Sequence, residues 1–302
     1  MLQVQHPQPV AQPARAAAPS GPGPALPCPH PTTPWALDNL PPFSPVALKL
    51  LNVLNDERIH VDQVSRFITA EPVFSARVLQ IANSPLFALQ RQVTSIPHAV
   101  IVVGLDKVKA IALTRALGDY IAPVLRRKAL LVCWRNTLAG ALLAEMLAPA
   151  CGLDAGEAYT AGLLCDIGRL ALLVKYPEAY TNVITLSGEH SHDLLTTERT
   201  LFEIDHCQAG CWIVGQMAMP AWVQEAVAHH HDEEPAAPFR LVHVVRAADR
   251  LADTLGYSIL PSQEQPCFEA WMNELPPEFA ARVNLDPETL RAEIERKLQA
   301  WS

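Results

Sequence analysis

The sequence predicts an all-α protein built as two packed helical subdomains. Three observations point there. Apolar residues recur at three- and four-residue spacing through most of the chain, helix start and stop signals bracket those stretches, and no alternating strand pattern persists. With 302 residues, half of them hydrophobic, the chain is long enough for a sizeable core.

The elements follow in order. Ten of the 27 prolines fall in the first 34 residues, among Ala, Gly, Ser and Gln, so residues 1–36 are expected to form a disordered Pro/Ala-rich tail. Ser44 before Pro45 is an N-cap with proline at the first helical position, opening "VALKLLNVLN". Val61, Val64, Phe67 and Ile68 make an apolar stripe stopped by Pro72. "VFSARVLQIANSP" is a further short helix. Ser95 with Pro97 starts "HAVIVVG", and Gly104 separates it from "DKVKAIALTRALG". These pieces are too short to stand alone and should pack as a bundle over about 40–120.

A second bundle is expected over about 125–256. "LLVCWRNTLAGALLAEMLA" carries Leu131, Trp134, Leu138 and Leu142 on one face, and "EAYTAGLLCDIGRLALLVKY" is apolar nearly all round, as a central buried helix would be. Asp205 and Gln208 form a capping box that places His206 in the first turn of "HCQAGCWIVGQM". Pro220 opens "AWVQEAVAHHH", and "FRLVHVVRAADRLADTLG" follows. Residues 257–302 read as a helical extension containing "PETLRAEIERKLQAW".

A net charge of −8 with no long basic run argues against nucleic acid or an anionic membrane as partner. The one dense basic spot, Arg126-Arg127-Lys128, reads as a solvated turn. Seven cysteines without a CxxC pair suggest neither a disulfide framework nor a zinc ribbon, and suit a reducing cytoplasm. The amino terminus has no signal-peptide core, and no uninterrupted apolar stretch looks long enough to span a bilayer.

Four polar side chains point inward by periodicity. Asp166 sits within the apolar run. Asp249 shares a face with Val242, Val245 and Ala252, His230 follows Val223 at helical spacing, and His206 starts its helix. Four such donors on different helices would suit a divalent cation. A buried carboxylate must be paired, hydrogen-bonded or metal-bound, and Asp166 also has Arg169 one turn ahead as a partner. A mixed site of His206, Cys207 and Cys211 is less favoured, because a sequence-adjacent His and Cys project differently from a helix. The run His229-His230-His231 reads as one inward and two surface imidazoles.

"LCDIGRL" in an apolar helix resembles the signature of the HD phosphohydrolase superfamily. The blocks "LPPFSPVALKLLNVLND", "LQIANSPLF", "VTSIPHAVIVVGLDKVKAIAL", "CWRNTLAGALLAEMLA", "EAYTAGLLCDIGRLALL", "FEIDHCQAGCWIVGQMAMPAWVQEAVAHHHD" and "LVHVVRAADRLAD" resemble, in order, its HDOD branch of bacterial signalling proteins. Asn83-Ser84 is a particularly specific reminder. The resemblance implies an HDOD domain over 37–256 whose second bundle is HD-like.

The resemblance also implies a metal site, and the departures from it are informative. The upstream ligand His falls at Asn136 and the His of the His-Asp pair at Cys165. Asp166, His206, His230 and Asp249 match and stand as vestigial metal candidates. Asn is a weaker ligand than imidazole, and Cys ligates only as thiolate. The expectation is therefore no cofactor, with a residual divalent metal left open, and Asp166 held by Asn136, His206 and backbone amides. Implied as function is a non-enzymatic regulatory domain acting through protein partners, with docking on the exposed face of the first bundle. The alternative is a divergent metal-dependent phosphohydrolase acting on a nucleotide or cyclic dinucleotide.

Overall fold

The computed structural model describes residues 33–301 apart from 44, 46–48, 50–60, 71, 85–88, 191, 218, 233–239, 261–266 and 284. Most of the tail expected over 1–36, and nearly all of the helix expected after Ser44, lie outside the described residues. Among the described residues every regular element is a helix.

After a short 3-10 helix at Trp35–Leu37 come four α-helices: α1 (Val61–Thr69), α2 (Pro72–Ala82), α3 (Ile96–Val103) and α4 (Leu105–Ile121). Their ends carry the expected chemistry. The Ser95 hydroxyl accepts from the His98 N–H, and Gly104, at φ 96°, ends α3 in a conformation that disfavours a side chain. The Asn83 amide explains its short motif: it donates to the carbonyls of Leu79 and Val93 and accepts from the Val93 N–H, all within 2.8 Å. One side chain thus clamps the segment after α2 to the approach to α3.

Next come α5 (Lys128–Leu147), α6 (Ala155–Leu164), α7 (Ile167–Lys175), α8 (Pro177–His190), α9 (Leu194–Phe202), α10 (His206–Gln216), α11 (Ala221–His229) and α12 (Leu241–Ala252). A π-turn at Asp253–Tyr257 precedes α13 (Phe268–Glu274), α14 (Pro277–Ala280) and α15 (Pro287–Trp301). Buried apolar residues fall into two clusters. The smaller joins Val64, Ile68, Val78, Val100 and Ile111, and the larger runs from Ala36 to Leu298. Helix α4 supplies both, giving Ile111 to one and Leu113 and Leu117 to the other. The carboxyl-terminal segment belongs to the larger core: Leu290, Ile294 and Leu298 are buried, and the Trp271 indole donates to the Ala247 carbonyl at 2.9 Å.

Two expectations need correction. The apolar run 157–176 is two helices, because Asp166 takes φ −94°, ψ 14° between α6 and α7. The break lets α7 turn onto α10, where the backbones nearly touch: a Cβ on Gly168 would lie 2.0 Å from the His206 carbonyl oxygen. Leu131 is exposed, while Trp134, Leu138 and Leu142 are buried; in the first turn of α5 it is the neighbouring Leu130 that enters the core. The stretch Lys128–Cys151 is long and apolar enough to cross a membrane by length and composition, though Arg135 and Glu145 interrupt it; 72% of its most apolar 18 residues are buried within the protein, as suits the central core helix. The basic spot behaves as expected, with Arg126, Arg127 and Lys128 exposed and Arg127 paired to Glu178.

Candidate functional site: a buried His/Asp cluster

The six positions singled out in the sequence converge. Asn136 lies on α5, Cys165 caps α6, Asp166 occupies the turn before α7, His206 is the first residue of α10, His230 follows α11, and Asp249 lies on α12. Asn136, Cys165, Asp166 and Asp249 line one narrow cleft with Thr137, Gly140, Gly162 and Val245. Behind it, Asp166 Oδ1 lies 3.5 Å from His230 Nε2 and 3.6 Å from His206 Nε2.

Local structure sets each group. The Asp205 capping box is present in full, so His206 is held at the helix start. The His206 ring is then fixed by Glu198 on α9, whose Oε2 lies 2.7 Å from Nδ1 and also accepts the His206 backbone N–H at 2.8 Å. Tyr180 donates to the other Glu198 oxygen. With Nδ1–H donating to a carboxylate, Nε2 is left as acceptor. It faces Arg169 Nη2 and His231 Nε2, both at 3.1 Å. Asp166 Oδ2 accepts from Arg169 Nη1 at 2.8 Å and from the Thr137 hydroxyl at 3.3 Å. Asp166 is thus held by Arg169, as its one-turn spacing suggested, and by Thr137, with the expected His206 ring 3.6 Å away, while Asn136 and backbone amides are not among its hydrogen-bond partners.

Glu198 was missed in the sequence because it sits in "LLTTERTLF", which reads as a surface helix; it is fully buried. His231 also corrects an expectation, since it turns inward onto His206 and only His229 is exposed. Cys207 lies near His206, His230 and His231, but Cys211 is outside that group.

Electrostatics follow from burial and pairing. Burial disfavours the Asp166 carboxylate, but Arg169 together with His230 and His206 holds it well below the usual range. Glu198 is likewise lowered against its burial by His206 and Arg169. The Asp166 carboxylate outweighs burial at His230 and raises it, while burial and Asp166 push Asp249 up. Two carboxylates therefore face one guanidinium and one imidazole biased towards its charged form.

Cys165, Asp166 and His230 bring ligand atoms within 4.8 Å of one another, but the set differs from the one the resemblance implies. The Cys165 thiol donates to the Gly162 carbonyl at 3.2 Å, and burial with Asp166 and Asp249 raises it well above the ordinary thiol range. The Arg169 guanidinium already spans Asp166 and His206. At about 4 Å and an effective dielectric of about 20, two unit positive charges repel by about 4 kcal/mol, and a divalent ion would meet about twice that.

The chain belongs to the HDOD domain family, whose model matches residues 40–233. It is similar to an HDOD domain protein of Geobacter sulfurreducens, solved in the crystal and of unknown function, with 26% identity and a TM-score of 0.68 over 87% of this chain and 93% of that one. A crystal structure from Shewanella amazonensis, named as a phosphohydrolase, shares the fold with 22% identity and a TM-score of 0.62, covering 88% and 95%. A Treponema pallidum (strain Nichols) protein, named only as uncharacterized, is 20% identical over 67% of this chain; the chain spans 39% of its length.

Proposed function

We propose that the chain is a bacterial signal-transduction domain that regulates through contacts with other proteins and hydrolyses nothing, its HD site being degenerate. The observation that carries this is the pair Asn136 and Cys165. They line the cleft beside Asp166 and Asp249 where the superfamily resemblance calls for imidazole ligands, and neither supplies one. The cysteines support a reducing, cytoplasmic setting: no disulfide forms among the described residues. For partner contact the reading favours the exposed face of the first four helices, where Ile101 is 81% exposed.

The test is a hydrolysis assay of the full chain with Mn²⁺, using bis(p-nitrophenyl) phosphate and a cyclic dinucleotide. The expected result is a rate no higher than that of Asp166→Ala. A rate lost in that variant contradicts the reading.

The second reading, a divergent metal-dependent phosphohydrolase, has one observation in its favour. Asp166 Oδ1 and His230 Nε2 are buried, have no hydrogen-bond partner, and stand 3.5 Å apart. Two ligands of one zinc ion have about this separation. The same assay separates the two readings.

A further inference from the structure

Arg169 is fully buried, and among the described residues no other Arg or Lys is. A buried guanidinium is costly unless its position supplies partners. Here the position does so through the backbone. Arg169 lies one turn into α7, beside Gly168, whose missing side chain lets α7 press against α10 at His206 and Gly210. The planar fork then bridges two elements, with Nη1 on Asp166 and Nη2 on His206. Through His206 the bridge extends to Glu198 on α9 and to His231 beyond α11.

We propose that Arg169 is a tethered cation: its guanidinium performs the neutralising and cross-bracing that a divalent ion performs in an intact HD site, and its removal uncovers a latent divalent-cation site at Asp166, His206 and His230. The inference rests on reading the site as degenerate. It explains why two carboxylates and three imidazoles stay packed together without the two missing nitrogen ligands. It also fits the spacing, because Asp166 Oδ1 stands 3.6 Å from His206 Nε2 and 3.5 Å from His230 Nε2, about the separation of two ligands on one ion, while the charge that organises them comes from the chain itself.

The experiment compares full-length wild type, Arg169→Ala and Arg169→Lys by thermal unfolding in EDTA and in Co²⁺, with Co²⁺ absorption as a second readout. Wild type is expected to melt at the same temperature in both and to show no ligand-field bands. Arg169→Ala should melt lower in EDTA, regain part of the loss in Co²⁺, and bind the ion about 100-fold more tightly than wild type, since a nearby charge is gone. Adding Asp166→Asn should abolish that response. Arg169→Lys, which keeps the charge but not the fork, should melt lower without responding to the ion. If Arg169→Ala folds only with Co²⁺, the proposal is supported. If it folds under neither condition, wild type and Arg169→Lys decide: ligand-field bands in either overturn the proposal, and their absence supports it. A folded Arg169→Ala that ignores Co²⁺ overturns it. Ion binding by wild type without hydrolysis overturns this inference alone, whereas hydrolysis overturns the reading beneath it.

Discussion

His206 Nδ1 lies 2.7 Å from Glu198 Oε2, and the same oxygen accepts the His206 backbone N–H. One carboxylate therefore fixes both the ring and the start of α10, leaving Nε2 to meet Arg169 and His231. Removing it would strand the imidazole and the guanidinium in a dry interior. Glu198→Ala is expected to destabilise the fold by about 3–5 kcal/mol, and Glu198→Gln by less. Urea denaturation measures both; a loss below about 0.5 kcal/mol for the Ala variant would show that the network does not support the fold.

The contact of α7 with α10 gives a paired prediction. A Cβ on Gly168 would meet the His206 carbonyl oxygen at 2.0 Å and the Gly210 nitrogen at 2.4 Å, backbone atoms that cannot swing aside. Gly168→Ala should cost about 3 kcal/mol, the upper end for overpacking. At Gly140, inside α5, an added Cβ meets nothing within 4 Å. Gly140→Ala should raise stability by about 0.5–1 kcal/mol by removing the helical penalty of glycine. Thermal melts of the two variants should move in opposite directions.

Asp253 governs the pH profile. Burial, then the neighbouring Asp249, raises its carboxyl from 3.8 to about 7, against a hydrogen bond from Ser258. Because the folded value lies above the unfolded one, stability is full below about pH 4 in this group and falls as pH rises towards 7, by up to about 1.4 kcal/mol per pH unit. Asp166 and Glu198, both lowered, act with the opposite sign and withdraw stability as pH falls through the carboxylate range. Asp253→Asn should flatten the decline between pH 4 and 7 in denaturant titrations. An unchanged slope would contradict the assignment.

Thiol chemistry tests whether Cys165 can act as a ligand. Burial raises Cys133 to about 12 and puts Cys165 and Cys207 well above the ordinary range, whereas Cys267 is exposed. Iodoacetamide at pH 8 should label Cys267 in the native protein and reach the other three only after unfolding. Native labelling of Cys165 as fast as Cys267 would reveal an accessible thiolate.

Much of this was legible in the sequence because the signals were local. Ser95 and the Asp205–Gln208 box mark helix starts by their own side-chain bonds, and Gly104 marks an end. The inward residues Asp166, His206, His230 and Asp249 could be read from spacing, and the Asp166–Arg169 pair from its one-turn separation. The helix break at Asp166 could not, because its flanks are apolar on both sides and the contact it allows is with α10, about forty residues away in the chain. Glu198 was hidden for a similar reason: only the fold shows that the face it occupies meets His206. Leu131 shows the converse: placed by spacing on the stripe of Trp134, it is exposed, and Leu130 beside it is the buried residue.

Metal analysis of the purified full-length protein tests the central claim most directly. With Asn136 and Cys165 in place of imidazoles and Arg169 across the remaining donors, Mn, Fe and Zn should each be far below one equivalent, and EDTA should leave the melting temperature unchanged. A stoichiometric ion that disappears in Asp166→Ala would contradict the account.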